Sequence, residues 1–224
     1  MKYLKPFNES TNISEIEAIC EIYNITNYTI NDDDSIDVNG DVDLSRKKLK
    51  ELPLKFRKVS GDFYCSYNQL SSLVGCPQSI GGDFYCGINK LTSLVGSPQR
   101  VGGDFECNNN NLTSLEGVPK RVSGLFLCYS NKLKNIDYLP KYYKELDISN
   151  NPISKIINLF TKPDEYGLIS NREDNELIMD FIDREMIQQD ILLVNRLVEF
   201  LYDIDKPKTR EELIELLKND YTIR

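Results

Sequence analysis

The tripeptide Gly61-Asp62-Phe63 returns as Gly82-Asp83-Phe84 and Gly103-Asp104-Phe105, with close versions at Gly40-Asp41-Val42 and Gly124-Leu125-Phe126, always 21 residues apart. Lys144-Glu145-Leu146 follows after 20. Six copies, the first five at one interval, constrain the fold more than composition does. A unit this short cannot bury a face alone and must stack on its neighbours. The unit reads V-x-G-D-F-x-C-x-x-N-x-L-x-x-L-x-G-x-P, and its apolar and asparagine positions stay in phase.

In GDFYCSYN, Phe63 and Cys65 point to one side of a short strand and Asp62, Tyr64 and Ser66 to the other. Stacked copies then form a parallel sheet with equivalent residues in columns about 4.8 Å apart. Phe63, Phe84, Phe105 and Phe126 are expected to form one buried column, and Leu70, Leu91, Leu112 and Leu133 another. Asn68, Asn89, Asn110, Asn131 and Asn151 fall where the chain leaves the strand, and their amides suit unpaired backbone groups of adjacent coils. Stretches such as SSLVGCPQSI are too short and too rich in Gly and Pro for a helix. Pro77, Pro98, Pro119 and Pro140 point to an extended or single-turn return.

Cys65, Cys86, Cys107 and Cys128 share a column with Leu44 and Ile148, which identifies them as packing residues. A ladder of four thiols spans about 15 Å, whereas zinc needs four sulfurs about 2.3 Å from one point. The absence of histidine removes the commonest general base and every Ser-His or Cys-His pair. The net charge of −8 argues against a surface that tracks nucleic-acid phosphates. No apolar run approaches the ~20 residues that span a bilayer, and the N-terminus lacks a signal-peptide core. A cytoplasmic protein with reduced cysteines is expected. Asp32-Asp33-Asp34 lacks the spacing and the final Glu of a calcium loop and reads as a solvated turn.

Both ends depart from the repeat, giving three expected segments: 1–38, 39–158 and 159–224. In the first, SEIEAICEIYN from Ser14 to Asn24 predicts a helix with Ser14 as N-cap and Glu17 completing a capping box. YTINDDDSIDV predicts a hairpin whose turn is Asn31 to Asp34. In the last, helices are expected over 171–184 and 189–204, and a third begins with the capping box of Thr209 and Glu212; together they read as a helical cap for the last repeat or as a small docking module.

The positions of Phe63, Cys65, Asn68 and Leu70, and LDISNNPI from Leu146 to Ile153, match the leucine-rich repeat frame L-x-x-L-x-L-x-x-N-x-L. The chain resembles short bacterial leucine-rich repeats of 20 to 22 residues. More closely, it resembles the small leucine-rich repeat proteins of tailed phages and large DNA viruses, through Asn27–Ser45, Leu52–Cys65 and Asn195–Lys208. The resemblance implies an α/β repeat fold: a leucine-rich repeat solenoid with a parallel β-sheet on its concave face, an N-terminal helix and hairpin cap, and a C-terminal helical cap. It implies no defined activity.

In such a solenoid the concave face is the usual binding surface. Its expected contact residues are Asp62, Tyr64 and Tyr67, then Asp83, Tyr85 and Ile88, then Asp104, Glu106 and Asn108, and finally Leu127 and Tyr129. Tyrosine beside carboxylates suits a protein partner with a basic or polar surface. Tyr64 and Tyr85 are expected to be exposed, and the aspartates either steer a partner or cap strand starts. No catalytic residue, cofactor, metal or nucleic-acid partner is expected. Two roles follow: a non-enzymatic scaffold, for example a phage protein that binds and inhibits a host defence protein, or a structural or assembly component of a virus particle. Acidic mimicry of nucleic acid is a third.

Overall fold

Each 21-residue interval becomes one coil of a β-solenoid in the computed structural model, which describes residues 13–170, 172–188 and 191–224. The elements begin with α1 (Ile13–Ile22), β1 (Tyr28–Ile30), β2 (Ile36–Val38), β3 (Val42–Asp43), β4 (Phe56–Val59) and β5 (Phe63–Tyr64). They continue with β6 (Ser79–Ile80), β7 (Phe84–Tyr85), β8 (Arg100–Val101), β9 (Phe105–Glu106), β10 (Leu125–Leu127) and β11 (Glu145–Asp147). The C-terminal part adds α2 (Ser154–Ile157), α3 (Arg172–Asp183), β12 (Ile187–Gln188), β13 (Ile191–Leu192), α4 (Val194–Asp203), α5 (Arg210–Leu217) and β14 (Thr222–Ile223).

Strands β3, β5, β7, β9, β10 and β11 form a six-stranded parallel sheet with Phe63, Phe84, Phe105 and Phe126 in register. The return segments, expected to be extended or single-turn connections, hold both: a turn, closed in the second coil by the Cys76 N–H donating to the Leu73 carbonyl at 3.0 Å, and then a short extended stretch that pairs into a second sheet. Its order is β1-β2-β4-β6-β8, parallel from β2 onward, and isolated bridges carry it to Arg121 and Tyr142. Val59, Ile80, Val101 and Val122, one per coil, are its buried anchors. A glycine corner joins the two sheets. A Cβ on Gly102 would lie 2.0 Å from the carbonyl oxygen of Gly81, so at this coil the corner leaves no room for a side chain.

The Phe column is fully buried, with neighbouring ring centroids 6.1, 5.1 and 5.6 Å apart. Leu70, Leu91, Leu112, Leu133 and the four in-column cysteines are also buried. Each large apolar side chain contributes about 1.5–3 kcal/mol by leaving water. The asparagine column does what its position suggests. Asn110 donates from Nδ2 to the carbonyls of Cys86 and Cys107, each at 3.1 Å, and its Oδ1 accepts from the Leu91 amide at 3.0 Å. One residue earlier the chain turns through positive φ, at Arg46, Tyr67, Ile88, Asn109, Ser130 and Asn150.

At the N-terminal end α1 buries Ile16, Ile19 and Cys20. Ser14 lies inside this helix rather than at its cap, because the helical backbone already includes Ile13. The hairpin forms with Tyr28 opposite Val38 and Ile30 opposite Ile36, and β2 continues the second sheet.

Beyond α2, Phe160, Phe181 and Phe200 form an aromatic cluster with centroids 5.0 to 6.1 Å apart. The helix expected over 189–204 is shorter. Gln189 and Asp190 lie outside the described residues, and Ile191–Leu192 is a strand between β12 and β14. The helix expected from position 171 is α3, and Asn171 itself lies outside the described residues. Thr209 and Glu212 form the expected capping box, with Leu213 and Leu217 buried beneath α5. Tyr221 donates to the Lys134 carbonyl at 2.8 Å, and Lys155 pairs with Asp220 at 2.5 Å, tying this part to the last coils. Among the described residues no helix is long and apolar enough to cross a membrane.

Candidate interaction surface

Alternation along each short strand of the six-stranded sheet sends one side chain of every pair outward, and register stacks these into columns. The first column is Asp41, Asp62, Asp83 and Asp104. Each Oδ1 accepts the backbone N–H of the next coil: Asp62, Asp83, Asp104 and Leu125, at 2.7 to 2.8 Å. The aspartates thus cap strand starts, and this ladder fixes the stacking of the coils.

The second column is Asp43, Tyr64, Tyr85, Glu106, Leu127 and Asp147. Tyr64 and Tyr85 are half-buried, contrary to the expected exposure. Their hydroxyls donate to Oδ2 of Asp62 and Asp83, each at 2.7 Å, and their rings stack at 4.9 Å with planes 2° apart. Each aspartate therefore holds a backbone amide with one oxygen and a phenol with the other. The hydrogen bond to Asp62, reinforced by burial, pushes the Tyr64 hydroxyl up to about 12. Burial and the bond to Asp83 push Tyr85 up as well. Glu106 is shifted up by burial and then by the charges of Asp104 and Asp83. Burial also raises Asp147, which is only 6 % exposed, against the opposing bonds from Ser149.

The third column runs through Ser66, Gly87, Asn108 and Tyr129. Asn108, expected to meet a partner, is 6 % exposed. Its amide occupies the space above Gly87, where an added Cβ would come within 2.4 Å of Asn108 Oδ1. It is a packing residue, made so by the glycine one coil earlier. Tyr129 and Leu127 are half-buried beside it.

Tyr67 and Ile88 are the exposed members of the expected set, at 46 % and 37 %, with φ of +58° and +55°. The Arg46 guanidinium stands 3.8 Å from the centroid of the Tyr67 ring. Arg46 was missed by sequence reasoning, yet it lies one 21-residue interval before Tyr67, and that spacing was the available signal. Asp147 was missed because its copy of the repeat lacks the GDF signature. The sheet thus gathers Asp62, Tyr64, Tyr67, Asp83, Tyr85, Ile88, Asp104 and Glu106 on one face, with Leu127 and Tyr129 at one side and Asn108 withdrawn from it. Among the described residues no group of three His, Cys, Asp or Glu side chains is placed to hold a metal ion.

Comparison of the chain with protein-family models, curated proteins and solved structures finds no match.

Proposed function

We propose that the protein is a leucine-rich-repeat-type binding scaffold, non-enzymatic and cytoplasmic, that engages a basic or polar protein through the outer face of its six-stranded sheet. On this reading α1 with the β1–β2 hairpin, and the helices after residue 158, act as end caps that keep the apolar columns out of water. The observation that carries the reading is the exposed pair Tyr67 and Ile88 beside a stacked, hydrogen-bonded Tyr64–Tyr85 platform. Rigid aromatic groups lose little side-chain freedom on binding, and the carboxylates around them favour a cationic partner. The resemblance to phage and large-DNA-virus proteins directs the search to host proteins, defence proteins among them.

The test is capture from host lysate by the full chain and by a Tyr67→Ser/Ile88→Asn variant, which removes exposed groups without touching the buried columns. Capture of one protein by the parent and its loss from the variant supports the reading. Equal capture by both, or co-purification with virus particles in place of any host protein, defeats it.

A further inference from the structure

The net charge of −8 averages over segments of opposite sign. Residues 39–158 hold sixteen Lys and Arg against eleven Asp and Glu; residues 1–38 hold two against eight, and residues 159–224 nine against sixteen. The coils also sort their charges by face. Aspartates line the six-stranded sheet, whereas cations project from the five-stranded one. Register places Lys58, Ser79, Arg100, Arg121 and Tyr142 in one column. In the adjacent column Arg57 is followed by Gln78, Gln99, Lys120 and Lys141. Lys58, Arg100, Lys120, Arg121, Lys141 and Tyr142 are all exposed, and beyond β2 neither column contains a carboxylate.

We propose that this face is a second docking surface, one that receives an acidic segment of a partner protein. The chain itself displays the chemistry. Where the β1–β2 hairpin lays its acids along this sheet, Asp33 pairs with Lys55 at 2.5 Å and Asp37 grips Arg57 through both Nε and Nη2. Past the hairpin the same face continues with cations that make no ion pair among the described residues. Arg121 stands 5.3 Å from the Tyr142 ring, so the far end of the stripe adds an amphipathic contact.

Length selects the class of partner. The column from Lys58 to Tyr142 covers four strand spacings, about 19 Å. Acid-rich segments bound it in sequence on both sides. A duplex carries one negative charge per about 1.7 Å without interruption, and at the hairpin end of the stripe would run onto Asp33 and Asp37. A locally acidic polypeptide needs to match only the stripe. This surface is separate from the Tyr67–Ile88 face, and neither reading depends on the other.

The test is NMR titration of the isotope-labelled full chain with a glutamate peptide of about ten residues, against a decathymidine of similar charge. The expected result is peptide-induced shifts at Lys58, Arg100, Lys120, Arg121, Lys141 and Tyr142. Affinity should fall about tenfold or more in Arg100→Glu/Arg121→Glu, and likewise as salt shortens the Debye length. Arg100→Ser/Arg121→Ser should show a smaller loss, and Tyr67→Ser/Ile88→Asn none. Absence of shifts on this face at low salt overturns the proposal, as does decathymidine binding equally or more tightly.

Discussion

The same coils build both sheets of the solenoid, but the two outer faces use their polar residues differently. On the six-stranded face the carboxylates of Asp62 and Asp83 each hold an amide and a phenol, and the Asn108 side chain fills the space over a glycine. On the five-stranded face Lys58, Arg100 and Arg121 make no ion pair among the described residues. Polar chemistry that looks functional in the sequence is largely constructional on the first face. On the second face the structural pairs gather at the hairpin end, where Asp33 and Asp37 hold Lys55 and Arg57, and the cations further along the sheet stay exposed.

The sharpest way to break this comparison is inside the six-stranded side. Asn110→Ala removes one acceptor and a cluster of donated bonds at a buried position, and should cost about 2–4 kcal/mol in equilibrium unfolding, because orphaned backbone groups keep their full desolvation penalty. Asp83→Ala should cost less, about 1–2 kcal/mol, and Asp83→Asn should recover part of it, since an amide oxygen can still accept the Asp104 N–H. A change within about 0.5 kcal/mol, the range expected for Arg100→Ser on the other face, would erase the distinction.

Ile88→Asn should act in the opposite direction. A β-branched residue at φ of +55° is strained, and asparagine tolerates that conformation, so a gain of up to about 1 kcal/mol is expected from denaturant melts. The smallest effect concerns pH. Burial raises Glu106, so its folded pKa lies above its unfolded one, and folding is disfavoured progressively as the pH rises through that interval. Glu106→Gln should therefore raise the melting temperature at pH 7, and the difference should close as the pH falls below the ordinary glutamate range. A constant difference across the titration would remove burial of the charge as its cause.

The buried half of each coil was legible because a fixed interval puts Phe, Cys, Asn and Leu in phase, and phase alone determines what stacks on what. The second sheet was less legible, since Gly and Pro in SSLVGCPQ signal a turn and hide the extended backbone that follows. Asn108 was misplaced because its burial is decided by Gly87, a residue 21 positions away whose missing side chain leaves room. Strand β13 escaped notice because ILLV satisfies helical and extended periodicity equally. Exposure of Tyr64 and Tyr85 was overestimated for a related reason: alternation gives the direction of a side chain but says nothing of the neighbour that covers it.

The in-register glycine corner also bears on how such a chain can change over time. Because Gly61, Gly82 and Gly103 occupy one column, excising or duplicating residues 82–102 would keep the glycine, aspartate, phenylalanine, cysteine and asparagine positions in phase across the junction. Single substitutions in these columns disturb two neighbours at once, whereas duplication of this coil would keep Asn108 over a glycine and its excision would set Asn108 over Ser66. The molecule is built so that its length can vary in steps of about 4.8 Å while its cross-section stays the same.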